Sequence, residues 1–313
     1  MFIVLGYHLL NNKKGLSSIM ENSSCLNKIL PTWLEIKKNG SLFIKDFTGE
    51  LSLIAGHYNV EEIIPLLQNY RLASKVSNSI IEDDNSAREM LAALIPFLNK
   101  YGFQGININM EGVKYSNKEP FTEFIKKVTS KLHEHNIKIG LSIPAKVENN
   151  KDSTWSGAYD YHILGEIVDS IIIMAYDYHW PGGPPGPIAP LNWIQDVIDY
   201  AIIEIPIEKI FLALGLYGYD WTIDCDKRAS GLIYSQVMNI ASKYKLQIDW
   251  DQESSSPYFL YKENNEAHEV WFENKVSIAK KLKLIQEYQL AGVAFWRPGQ
   301  EDPGIWQLIA EVK

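Results

Sequence analysis

The sequence predicts an α/β protein: a (β/α)8 TIM barrel with a small α+β insertion between strands seven and eight. Three observations carry this. Eight apolar, β-rich runs are spread along the 313 residues, and most gaps between them hold a helical pattern. No glycine-rich phosphate turn follows an early strand, as a doubly wound sheet would usually announce. Alternating strands and helices imply parallel strands joined by right-handed crossovers, and eight such units close into a barrel.

The first run, FIVLGYHLL, follows Met1 directly. It has no basic leader and no small-residue cleavage site, so it reads as a strand rather than a signal peptide. ILPTWLEI is the second run, and LASKVSNSII, residues 72–81, reads as the third on its β-branched content. The helical stretch SAREMLAALIPFLNKY leads into GININME, the fourth. After it, Phe121, Phe124, Ile125, Val128 and Leu132 share one helical face, with Ser116 available as the cap. KIGLSIP, SIIIMAYDYHW, IFLALGLYGYDW and LAGVAFWRP complete the set. The segment 222–275 is too long for a simple crossover. It holds a helix and then LQIDW, PYFLYK and EVWFE, the pattern of an antiparallel α+β unit over the C-terminal mouth of one barrel spanning 1–313.

Composition removes several function classes. The formal charge is −8 with scattered acidic residues, so no basic stripe exists to meet a phosphate backbone and nucleic acid is not an expected partner. No run of about 18 apolar residues occurs, so no transmembrane helix is expected. Cys25 and Cys225 have neither metal-ligand nor redox spacing and read as two ordinary thiols. His133 and His135 in HEH diverge on a helix and do not converge on a metal ion. His57 and His162 are isolated, so no nucleophile triad can be argued. No metal and no cofactor is expected. The run WPGGPPGPIAP must be a loop, and it lies after strand six at the mouth. Trp180, Trp193, Trp221 and Trp271 are candidates for either sugar platforms or packing.

Strand four poses the sharpest question. Ile106, Ile108 and Met110 share one side, whereas Asn107, Asn109 and Glu111 share the other. In a barrel one face of each strand lines the interior, and Glu111, last in its run, would sit at the C-terminal mouth. On residues alone two readings stay open: a solvated charge above a polar layer, or a catalytic carboxyl.

The wording of four segments bears on that choice. GININMEGV resembles the strand-four signature DxxDxDxE of glycoside hydrolase family 18. MAYDYHWPGGPPGPIAP resembles that family's strand-six motif M-x-Y-D, LGLYGYDW its strand seven, and HEVWFEN with GVAFWRPG its insertion and strand eight. Within the family the wording is most similar to spore cortex-lytic N-acetylglucosaminidases of spore-forming bacteria. The resemblance implies substrate-assisted retaining hydrolysis of a β-1,4-linked N-acetyl amino sugar, in which the sugar's own acetamido oxygen is the nucleophile. By motif position Glu111 is the acid/base, and Tyr176 and Asp177 bind the acetamido group. Asn109 stands where the family accepts the acetamido N–H, and Trp296 is the floor of the −1 site. Asn107, Tyr217, Tyr219 and Tyr7 are weaker substrate-binding candidates, and the tyrosines serve equally as barrel filling.

The signature departs from the family at Gln104, Asn107 and Asn109, which are neutral here. An asparagine carbonyl still accepts a hydrogen bond, and a related family of endo-N-acetylglucosaminidases works with asparagine at this place. Loss of the charge costs about 1–2 kcal/mol, roughly ten- to thirtyfold in rate. A slow hydrolase is therefore expected. Its polysaccharide is peptidoglycan of the spore cortex, or chitin-like oligomers, and it acts as a monomer. A carbohydrate-binding or spore-structural protein on a weakened barrel is the alternative. The sequence carries no leader or membrane span, which points to the cytoplasm, whereas the resemblance points to the spore or cell wall. The lysin-motif repeats that usually attach such relatives to peptidoglycan are not among these residues, which leaves targeting open.

Overall fold

Val, Ile and Leu recurring two residues apart favour extended backbone, and here they build eight parallel strands with helices packed outside. The computed structural model describes residues 2–56, 60–223 and 227–313; His57 and Cys225 lie outside them. The barrel strands are Ile3–His8, Lys28–Ile36 in two pieces, Leu66–Asn69, Gly105–Asn109, Lys138–Pro144, Ser170–Met174, Ile210–Gly215 and Gly292–Trp296. Ile3 pairs with Gly292, which joins the first strand to the eighth. The second strand bends at Thr32 and Trp33: its first piece, Lys28–Pro31, pairs with strand one, and its second, Leu34–Ile36, pairs with strand three. Every barrel strand thus has two parallel neighbours, and the ring is closed.

Alternation sorts the core into two shells. Leu5, Tyr7, Phe211, Ala213 and Ala294 point into the barrel, while Val4, Leu212, Val293 and Phe295 point outward against the helices. Strand four follows the same rule with a different cargo. Ile106 and Ile108 join the outer shell, so Asn107 and Asn109 face inward.

Two element assignments differ from the sequence reading. Residues 72–81 do not form strand three; Ser74–Ile81 is a helix, and the strand is the four-residue Leu66–Asn69 just after Pro65. Ser74, Ser77 and Asn78, spaced i, i+3 and i+4, are a helical pattern that the β-branched content outweighed. The run 210–221 also splits. Ile210–Gly215 stays in the barrel, whereas Tyr217–Thr222 turns into a second, five-stranded antiparallel sheet with Ser230–Ile233, Asp249–Asp251, Ser256–Glu263 and Glu266–Phe272. The helix Tyr234–Tyr244 packs on that sheet through Val237 and Ala241. A smaller difference concerns the helix Lys118–His133, whose cap position is Asn117 and not Ser116.

The seam between strands one and eight leaves no room for a side chain at Gly292, where a β-carbon would run into the Ile3 carbonyl oxygen. Gly292→Ala should therefore lower the unfolding free energy by about 3 kcal/mol, read from urea titration; an unchanged midpoint would contradict so tight a seam.

Candidate active site

The polar face of strand four is satisfied inside the barrel as a chain of hydrogen bonds. The Ser142 hydroxyl donates to Asn107 Oδ1 at 2.7 Å, and the Tyr7 hydroxyl lies 2.7 Å from Ser142 Oγ. Because the serine proton is committed to Asn107, Tyr7 is the donor of the second bond. Burial pushes the Tyr7 phenol well up, so it stays protonated for that task. Gly140 makes the room, since a β-carbon there would sit 2.8 Å from Asn107 Nδ2.

Above this layer the strand ends at Asn109, and Glu111 is two residues beyond it rather than last in the strand. Its backbone is held from the side. Asn69, the last residue of strand three, accepts from the Glu111 N–H at 3.0 Å, and Ser77 Oγ donates to the Glu111 carbonyl at 2.7 Å. Asn78 Nδ2 reaches the Gly112 carbonyl at 3.0 Å. Gly112 has φ +70° and lies so close to Ser74 that a β-carbon would come within 2.7 Å of its Cβ, so glycine is required on both counts. Sequence reasoning missed Asn69, Ser74, Ser77 and Asn78, although the i, i+3, i+4 spacing of the last three was visible.

The Glu111 carboxyl accepts from Asn109 Nδ2 at 2.9 Å. Asn109 is 7% exposed, and its Oδ1 is buried without a hydrogen-bond partner. Burial raises the pKa of Glu111 above the ordinary 4.5; the Asn109 bond works against this, and repulsion from Asp177 adds to it. Asp177 is thus a second raising cause beside desolvation, one that strand four alone does not reveal.

Asp177 follows the sixth strand with φ +59°, a left-handed conformation that aspartate tolerates better than most residues. Burial raises its pKa too, against two phenol donors: Tyr217 Oη donates to Oδ1, and Tyr219 Oη donates to the same oxygen at 2.8 Å. Both tyrosines come from the first strand of the second sheet, not from barrel strand seven as their sequence position suggested. Tyr176 is packed between Tyr217 and the barrel interior, with ring centroids 6.3 Å apart. Trp296 ends strand eight and meets Tyr7 edge to face at 5.3 Å. Glu111, Asn109, Tyr176, Asp177, Tyr217, Tyr219, Tyr7 and Trp296 therefore converge on one mouth, with Asn107 one layer below.

The other candidates divide. Trp221 and Trp271 are buried in the aromatic cluster beside Tyr219, and Trp193 packs on Tyr178 at 5.1 Å, whereas Trp180 is 49% exposed. The proline-glycine loop is strapped to the second sheet by Trp221 Nε1 donating to the Gly183 carbonyl at 3.1 Å. His133 pairs with Asp169 at 2.9 Å on the surface. Among the described residues no group of three or more His, Cys, Asp and Glu could hold a metal ion, and no helix is long and apolar enough to cross a membrane.

The phenol donors stabilise the ionised form of Asp177. Replacing Tyr217 and Tyr219 by Phe should make its carboxyl titrate at higher pH, by 13C NMR; a downward or absent shift would mean that those bonds do not hold in solution.

Comparison with known proteins gives the family. The pattern of glycosyl hydrolases family 18 matches residues 13–301. The cortical fragment-lytic enzyme of Bacillus subtilis is 30% identical over 282 residues, which cover 88% of this chain and 65% of that protein. The chain thus spans a little under two thirds of that relative's length. The crystal structure of the Bacillus megaterium spore cortex-lytic enzyme SleL superposes with a TM-score of 0.90 at 29% identity, covering 99% of this chain and 73% of that one. A chitinase structure from Chromobacterium violaceum has a TM-score of 0.91 at 24% identity over 99% of this chain and 98% of its own, a likeness of fold. With the family pattern matched over nearly its whole length, this chain belongs to glycosyl hydrolases family 18.

Proposed function

We propose that the protein is a retaining N-acetylglucosaminidase that cleaves β-1,4 bonds of peptidoglycan, the spore cortex in particular, using the substrate's acetamido group as nucleophile. The observation that carries this reading is the pair Asn109 and Glu111. One amide of Asn109 steadies the carboxyl through its N–H and leaves its carbonyl oxygen buried and unpartnered beside it. A buried acceptor without a donor is costly, and the N–H of an acetamido group is the donor that the mechanism supplies.

In the first step the acetamido oxygen forms a bond to the anomeric carbon as the glycosidic C–O bond breaks. The Glu111 proton passes to the departing oxygen. The oxazolinium that results gives its N–H to Asn109 Oδ1, while Tyr176 and Asp177 hold the group at the angle of attack. Trp296 offers its ring to the C–H face of the sugar. In the second step water attacks the anomeric carbon, the acetamide is restored, and Glu111 takes the water's proton. A carboxyl raised by burial is suited to this, because it keeps its proton to higher pH than a solvated one. The names of the relatives support the substrate: one is a cortical fragment-lytic enzyme, and another, human di-N-acetylchitobiase, is 24% identical over 229 residues.

Two variants test the chemistry on cortex fragments, with new reducing ends as the readout. Glu111→Gln should lose about 10²–10⁴ in kcat; unchanged activity would remove Glu111 from the mechanism. Asn109→Asp replaces a donor that favours the ionised carboxyl with a negative charge that disfavours it, so the Glu111 pKa rises and the basic limb of the pH profile moves up. The rate should also increase about ten- to thirtyfold. A basic limb that stays in place or falls would refute the electrostatic account.

A further inference from the structure

The chain uses arginine sparingly, and where it does is not random. Only four of its 30 basic residues are arginine: Arg71, Arg88, Arg228 and Arg297. Arg88 is on the outer helix Asp84–Tyr101. Arg71 and Arg297 come just after the C-terminal ends of barrel strands, on the side of the mouth that holds Glu111, and Arg228 belongs to the cover over it. Arg71 is two residues past the end of strand three, Arg297 directly follows Trp296 of strand eight, and Arg228 is two residues before Ser230–Ile233 of the second sheet, stacked on Trp180 of the loop after strand six.

Among the described residues none of these three arginines has a carboxylate within ion-pair distance, although the surface lysines take part in several such pairs. Arg71 stacks over the Tyr70 ring at 5.2 Å and Arg228 over the Trp180 ring at 5.6 Å, which leaves the N–H edge of each guanidinium free. Arg297 is half-buried, and burial alone perturbs it. The loop that presents Arg71 is strained as well, since Arg71 and Leu72 are both left-handed, at φ 53° and 52°. Such strain persists where surrounding structure imposes it, and often marks a ligand contact. Arg228 also lines a cavity of about 500 Å³ between the proline-glycine loop and the second sheet, together with Lys227, Trp221 and Thr222, and none of the lining residues among the described ones is acidic.

We propose that Arg71, Arg228 and Arg297 are carboxylate-recognising groups along the glycan path, so that this mouth selects an acid-bearing N-acetylhexosamine polymer over a neutral one. Arginine is the suitable choice, because its planar fork meets a carboxylate with two parallel hydrogen bonds and a lysine cannot. The carboxylates are those of lactyl ethers or of peptide stems on alternate sugars. This inference deepens the function proposed above and rests on it.

The test uses a glycan oligomer carrying lactyl and peptide carboxylates, the same oligomer with those carboxyls amidated, and equilibrium binding to the Glu111→Gln protein, which does not consume either. Arg71→Gln with Arg228→Gln, in that background, should lower the ratio of acid-form to amidated-form affinity about tenfold. Lysine at the same two positions should recover part of the ratio, and 0.5 M salt should lower it in the parent. Equal affinity of the parent for the two forms, or an equal loss on both in the double variant, would overturn the proposal. Thermal unfolding of each variant identifies a loss caused by misfolding. Release of new reducing ends from the acid-form oligomer by the unaltered enzyme tests the underlying function by itself, since it does not depend on the ratio.

Discussion

A proton donor at the mouth has to be partly withdrawn from water and yet must not meet a cation, because an ion pair would hold it ionised. Among the described residues Glu111 has no salt-bridge partner, and its position is fixed by neutral groups acting on its backbone. Strand three, the helix after it and the close approach at Gly112 all serve that constraint. The side chain is then free to have its proton affinity set by burial, by one amide and by the charge of Asp177.

The same economy governs Asp177. A second buried carboxyl near Glu111 would be expensive if it stood alone, and two phenols share its Oδ1. These phenols arrive from the second sheet, so the two halves of the site belong to different structural layers. Glu111 is a property of the barrel, whereas the state of Asp177 depends on what covers the barrel.

How much of this was legible follows from how local each signal is. The inward polar face of strand four could be read because a period of two is written in six consecutive residues, 106–111. The outer helices were legible for the equivalent reason at period 3.6. Strand three was not, since Leu66–Asn69 is too short to show a period and the helix behind it is rich in β-branched residues. The departure of Tyr217 from the barrel was also hidden. Gly215 and Gly218 flank the turn at Leu216, but glycines inside an apolar run do not by themselves say that the strand changes sheet; that is decided by pairing of Tyr219 with Trp271, more than fifty positions away. Left-handed Asp177 and the unpartnered oxygen of Asn109 are consequences of assembly, with no counterpart in any short window.

The second sheet departs from the barrel and returns to it at adjacent points: Leu216 N–H donates to the Trp296 carbonyl at 2.9 Å, and Glu273 N–H donates to the Tyr217 carbonyl at 3.0 Å. The chain therefore enters and leaves this cover side by side, while Ser254, Gln300 and the proline-glycine loop tie its outer parts to the barrel loops. The phenols bound to Asp177 travel with the cover. A chimaera that grafted this cover from one family member onto the barrel of another would exchange the ionisation of an active-site carboxyl along with the shape of the roof, so acidity and glycan fit would be inherited together.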